Sequence, residues 1–148
     1  MPAALHQAAW ETCMATQWSF GNQSNESKSL PFWKMELGGV PAIDALWVHG
    51  RPRCEEIVQQ PLTVLRQYAN GHTYGQGGQL HHNDKRPDTH TLLYYPMPEW
   101  HVEWAGETVL YDGQGEIARA VLPAGNRAIF FDSRIGAVRR AVSSADSG

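Results

Sequence analysis

The chain has 148 residues, 42% of them apolar, and 12 basic against 15 acidic side chains give it a net charge of −3. That length suits one domain with one core, and the charge balance gives no reason to expect nucleic acid or an anionic membrane as partner. No run approaches the ~20 apolar residues of a membrane span, and the segment Met1 to Trp18 lacks the cationic-then-apolar order of a secretory signal, so a cytoplasmic location is expected.

Apolar groups at Leu5, Ala8, Ala9, Cys13 and Met14 predict an amphipathic helix over Ala3 to Trp18. Gly21 to Pro31 is polar and reads as a loop. Phe32 to Leu37 reads as a short strand, Ala42 to Gly50 fits helix or strand, and Arg53 to Gln60 reads as a helix ended by Pro61. Past Pro61 the pattern changes to short apolar runs separated by Gly, Asn, Asp or Pro. These are Val64 to Tyr68, Gln79 to Asn83, His90 to Tyr95, Thr108 to Tyr111, Ile117 to Leu122, Ala128 to Phe131 and Ala137 to Val142. Short strands with turn signals between them predict a β-barrel or a double-sheet jelly roll. The expected division is a helical N-terminal support over residues 1–60 and a β-core over 61–148, within one domain. Trp10, Trp18, Phe20, Phe32 and Trp33 are expected to join the two parts. The two cysteines, Cys13 and Cys54, are too few for a disulfide framework; reduced thiols are the simpler expectation, with a single bridge left open.

The chemistry concentrates in Leu80-His81-His82-Asn83-Asp84. Side chains alternate along a strand, so His82 and Asp84 share a face and His81 takes the other. One imidazole and one carboxylate on a face make two-thirds of a His-x-Asp…His facial triad, a set that suits Fe(II) and leaves coordination positions open. Calcium would want oxygen ligands only.

The flanking phrases resemble those of a known family. Tyr74-Gly75-Gln76-Gly77-Gly78 precedes the motif. Then come Thr89-His90-Thr91-Leu92-Leu93-Tyr94-Tyr95, Trp100 or Trp104 followed by Ala105-Gly106-Glu107-Thr108, and Leu122 to Phe131 with its Pro123, Asn126 and Arg127. In order and spacing, from about Leu65 to Val142, these resemble the prolyl-hydroxylase-like branch of the iron(II)- and 2-oxoglutarate-dependent oxygenases. The resemblance implies a double-stranded β-helix, a jelly-roll or cupin-like fold with its last strand missing, mainly β with N-terminal helices. It implies a dioxygenase that couples decarboxylation of 2-oxoglutarate by O2 to hydroxylation of an unactivated C–H bond in a small molecule or amino-acid residue. Fe(II) would be held by His82 and Asp84, and Tyr95 and Tyr74 would line the 2-oxoglutarate pocket, with ascorbate as a further candidate cofactor.

The chain departs from the family where the third ligand belongs. The family phrase is Arg-Ile-Pro-His-Ala-Val-Arg, but here Gly136 follows Arg134-Ile135 and precedes Ala137-Val138-Arg139. Glycine carries no ligand atom. The basic residue that would pair with the co-substrate in a final strand is also missing from Ser143 to Gly148. Three readings stay open: a fragment of a longer enzyme, a pseudoenzyme that uses the barrel for binding, or an iron shell completed by water, His81, His90 or His101. Arg127, Arg134, Arg139 and Arg140 are expected to be solvated charges at strand ends. A barrel short of a strand exposes an edge and invites a homodimer. A zinc hydrolase would need three protein ligands and a base, and nothing beyond His82 and Asp84 is spaced for that.

Overall fold

The computed structural model describes residues 1–15, 17–22, 31–73, 75–76, 80–81, 88–135 and 137–139. Among the described residues two α-helices, one short 3-10 helix (Val102–Trp104) and nine strands follow in chain order: α1 (Ala3–Cys13), β1 (Ser19–Asn22), β2 (Phe32–Glu36), α2 (Pro41–Val58), β3 (Tyr68–Gly71), β4 (Leu80–His81), β5 (His90–Tyr95), β6 (Thr108–Tyr111), β7 (Ile117–Val121), β8 (Arg127–Asp132) and β9 (Ala137–Arg139). Every strand pairing is antiparallel. The strands form three small sheets ordered β1-β2-β3, β4-β9-β6-β7 and β5-β8. Among the described residues no sheet closes into a barrel.

The pairing has a nested order. β6 pairs with β7, β5 outside them pairs with β8, and β4 outside those pairs with β9. The first and third of these shells share one sheet through the β6–β9 pairing, while β5 and β8 form another.

α2 is one helix where the sequence suggested an ambiguous segment and a separate helix. Pro41 starts it with a preset φ, and Asp44 lies in its first turn, near the positive end of the helix dipole. Pro52 lies inside the helix and supplies no N–H to the carbonyl of Val48. Both residues are exposed, so that carbonyl reaches water and the helix continues. Gln59, in the left-handed conformation with φ 56°, ends the helix before Pro61.

The division at residue 60 is crossed by a sheet. β2, from the N-terminal part, pairs with β3 in register from Trp33↔Gly71 to Glu36↔Tyr68. The expected strand at Val64 to Tyr68 therefore begins only at Tyr68, because Val64 and Leu65 are exposed and unpaired with β2. Of the aromatics expected to join the two parts, Phe32 is buried, but Phe20 and Trp33 are exposed at 55% and 36% and pack on each other at 5.1 Å. Cys13 and Cys54 are free thiols, Cys54 buried, and burial raises the pKa of each.

β5 and β8 pair residue for residue from His90↔Asp132 to Tyr95↔Arg127. Alternation gives this two-stranded sheet two covered faces. Leu92 lies against Gly50 of α2, and Tyr94 meets His6 of α1 edge to face at 6.2 Å. On the opposite face Tyr95 reaches Thr108 of β6. The helices thus cover one side and the four-stranded sheet the other.

Polar ties fix the chain terminus to this sheet. Asn126 accepts from the Tyr94 hydroxyl at 2.9 Å and donates to the Met1 carbonyl at 2.8 Å. The His6 ring nitrogen lies 2.8 Å from the Pro96 carbonyl. Gly125 passes so close to the Met97 and Pro98 carbonyls that a Cβ there would lie 2.6 Å from both oxygens. Gly125→Ala is expected to force the loop apart and lower stability by about 1–3 kcal/mol. Thermal denaturation measures this, and an unchanged midpoint would show that the loop yields freely.

Candidate functional site

Of the residues that sequence reasoning selected, Tyr95 has a described environment. It ends β5, is 4% exposed, and donates its phenolic hydrogen to Thr108 Oγ1 at 2.7 Å. β5 aims Tyr95 inward because positions 91, 93 and 95 share the face toward β6. On that same face the Thr91 and Ser133 hydroxyls are 2.9 Å apart. His82, Asp84, Tyr74 and Gly136 lie outside the described residues, as does Arg140. β4 ends at His81, directly before His82 in sequence.

Thr108 and Ser133 are the functional candidates that sequence reasoning missed. Both are buried polar residues. The sequence marks Thr108 as the end of the Ala-Gly-Glu-Thr phrase and the start of a strand; its partnership with Tyr95, 13 positions away, needs the fold. A threonine hydroxyl that accepts from a tyrosine keeps its own proton to donate. Tyr95 and Thr108 therefore make a buried relay suited to a carboxylate or another acceptor.

A cavity of about 600 Å³ adjoins this relay. It is lined by Tyr95 and Thr108 from the sheet interior, by Leu92 and Tyr94 from the helix-covered face, and by β3. That volume is in the range of sites for small organic ligands. Three buried side-chain atoms have no hydrogen-bond partner among the described residues: Asn70 Oδ1, His90 Nδ1 and Glu107 Oε2. The first two belong to residues that line the cavity.

The loose candidates for a third metal ligand separate in the structure. His90 stacks on Phe130 at 5.2 Å, on the face of β5 away from Tyr95. His101 is exposed and packs on Trp104 at 4.5 Å. Among the described residues no three His, Cys, Asp or Glu converge to hold a metal. Arg134 is an exposed strand-end charge, as expected, and its Nη2 lies 2.5 Å from Asp132 Oδ2. Arg127 is exposed and donates to the Leu122 carbonyl at 2.8 Å. Ala105 has φ 52° and ψ −135°, a backbone conformation that glycine adopts freely.

No protein-family model, curated protein or solved structure matches the chain. No helix among the described residues is long and apolar enough to cross a membrane.

Two measurements test this geometry. Tyr95→Phe leaves the ring in place but removes the donor to Thr108, so a loss of about 0.5–1.5 kcal/mol is expected in thermal or denaturant unfolding. A variant as stable as the parent would mean that the hydroxyl pair contributes nothing to folding. Arg134 holds the Asp132 carboxyl at about 2, below its ordinary 3.8, chiefly by side-chain and backbone hydrogen bonds. A depressed carboxylate stabilises the fold above pH 3.8, and that contribution is lost as the pH falls through about 2. In Arg134→Ala the Asp132 resonance, followed by NMR, should titrate closer to 3.8.

Proposed function

We propose that the chain carries the framework of an iron(II)- and 2-oxoglutarate-dependent dioxygenase: a double-stranded β-helix, short of its last strand, built to hydroxylate a C–H bond of a small molecule or amino-acid residue. The nested strand order carries this reading. A jelly roll is a long hairpin folded over on itself, so its strand pairs nest and successive shells alternate between two sheets. Here β6–β7 and β4–β9 share one sheet, and β5–β8, the shell between them, forms the other. Chance assembly of small antiparallel sheets gives no reason for that alternation.

In this reading His82 and Asp84, which follow β4 in sequence, are the iron ligands. The relay from Tyr95 to Thr108 receives the distal carboxylate of 2-oxoglutarate, with the Thr108 proton as direct donor and Tyr95 holding the threonine in position. Tyr74 lines the same pocket. Bound iron would supply the centre at which co-substrate and O2 meet; the protein supplies ligands, orientation and a water-poor interior.

Gly136, standing where the third ligand belongs, favours a second reading: a binding domain on the same framework with no turnover. One experiment separates the two. Anaerobic titration with Fe(II) and 2-oxoglutarate should give a weak visible band in the parent chain, none in His82→Ala, and a stronger one in Gly136→His. A His82→Ala variant with undiminished Fe(II) affinity would overturn the iron assignment. A parent chain without any band, unaltered by Gly136→His, would leave the binding reading.

A further inference from the structure

We infer that the pocket between the β6–β7 hairpin and the turn after β8 binds a small organic carboxylate, held by Arg119. Calling that acid the substrate rests on the oxygenase reading; the binding site itself rests on strand register and charge.

Register places Arg119 on the inner face of its sheet. Leu110 pairs directly with Arg119, and Thr108 with Val121. Directly opposed residues share a face, as do residues two apart along a strand. Thr108 meets Tyr95 of the other sheet, so Leu110, Val121 and Arg119 take that same inward face. Inward positions between two packed sheets are apolar as a rule. An arginine there departs from the rule, and such departures concentrate at functional sites. The register also slips beside it. Leu110 opposes Arg119 but Tyr111 opposes Ile117, which leaves Ala118 as an extra residue. A bulge of this kind bends its strand and re-aims the side chains next to it, and bulges are over-represented beside active sites.

The surroundings leave Arg119 without a counter-charge. Leu110, Tyr111 and Ile135 form apolar walls of its pocket, and Asp112, Asp132 and Arg134 are the other charged groups that line it. Both carboxylates are engaged elsewhere. Asp112 Oδ1 accepts from the backbone N–H groups of Gln114 and Glu116 at 2.9 and 3.0 Å, which closes the hairpin turn. Asp132 accepts from Nε, Nη2 and the backbone N–H of Arg134. That fork fixes the Arg134 guanidinium and leaves its Nη1 without a partner among the described residues. Arg119 is exposed and has no hydrogen bond or ion pair among the described residues. A guanidinium binds a carboxylate through two parallel hydrogen bonds. The apolar walls beside it suit the body of an organic acid, which a bare inorganic anion lacks.

The pocket also adjoins the site already described. Ile135 N–H donates to the Asp132 carbonyl at 3.0 Å, and the turn so formed borders two spaces. Ser133 in this turn lines the cavity of the Tyr95–Thr108 relay, whereas Asp132, Arg134 and Ile135 line the Arg119 pocket. An acid anchored at Arg119 would sit across this turn from the co-substrate cavity.

The probes are acetate, benzoate and N-acetyl-L-leucine, with N-acetyl-L-leucinamide and inorganic phosphate as controls. The full chain is titrated without Fe(II) or 2-oxoglutarate. NMR follows the Arg119 Nε–Hε signal, assigned by its loss in Arg119→Gln. At least one acid should shift that signal saturably, and the amide should not. Arg119→Gln should weaken binding, read from the ligand's own signals, by about tenfold or more, with Arg119→Lys in between. The side chain is exposed, so both variants should unfold at the temperature of the parent. No saturable shift with any acid overturns the inference, as does equal binding of acid and amide or undiminished binding to Arg119→Gln. Phosphate that binds as tightly as the acids overturns the choice of an organic carboxylate. Acid binding by a chain that fails the iron titration keeps the site and removes only the substrate label.

Discussion

The pairing of β5 with β8 is the constraint on which the rest of the molecule depends. Its register, from His90↔Asp132 to Tyr95↔Arg127, decides which side chains face the helices and which face the second sheet. A slip of one residue would turn Tyr95 away from Thr108 and drive Leu92 off α2. The loops at its ends are tied with equal care: Gly125 allows the close pass beneath Met97 and Pro98, and Asn126 holds both Tyr94 and the Met1 carbonyl.

Site and fold share this dependence. The Tyr95 hydroxyl has a partner because β6 crosses the inner face of β5 at Thr108. The cavity beside it exists because β3 and β5 each pair on one edge only among the described strands. That geometry makes the Tyr95–Thr108 pair a buried hydroxyl relay suited to a carboxylate or another acceptor.

Much of the β-structure was legible in the residues. His90 to Tyr95 and Thr108 to Tyr111 are strands with the expected bounds, and β7, β8 and β2 differ by a residue at their ends. These segments carry β-branched and aromatic residues between Gly, Pro, Asn and Asp signals, so local preference and tertiary pairing agree. Where the two disagree, pairing wins. β3 includes Asn70 and Gly71, both turn formers, because β2 lies alongside them and Trp18 packs over Gly71. α2 runs through Pro52 because the lost hydrogen bond falls on an exposed face.

The sequence by itself determined the element types of the β-rich half and the short list of chemically able residues, since these follow from neighbour-to-neighbour chemistry and the two-residue period of a strand. Only the tertiary structure decided that Thr108 is the partner of Tyr95, that β2 and β3 bridge the two halves, and that β3 and β5 each pair on one edge among the described strands. Each of those joins residues distant along the chain or fixes which edge of a strand is used, and no local pattern encodes a choice made between distant segments.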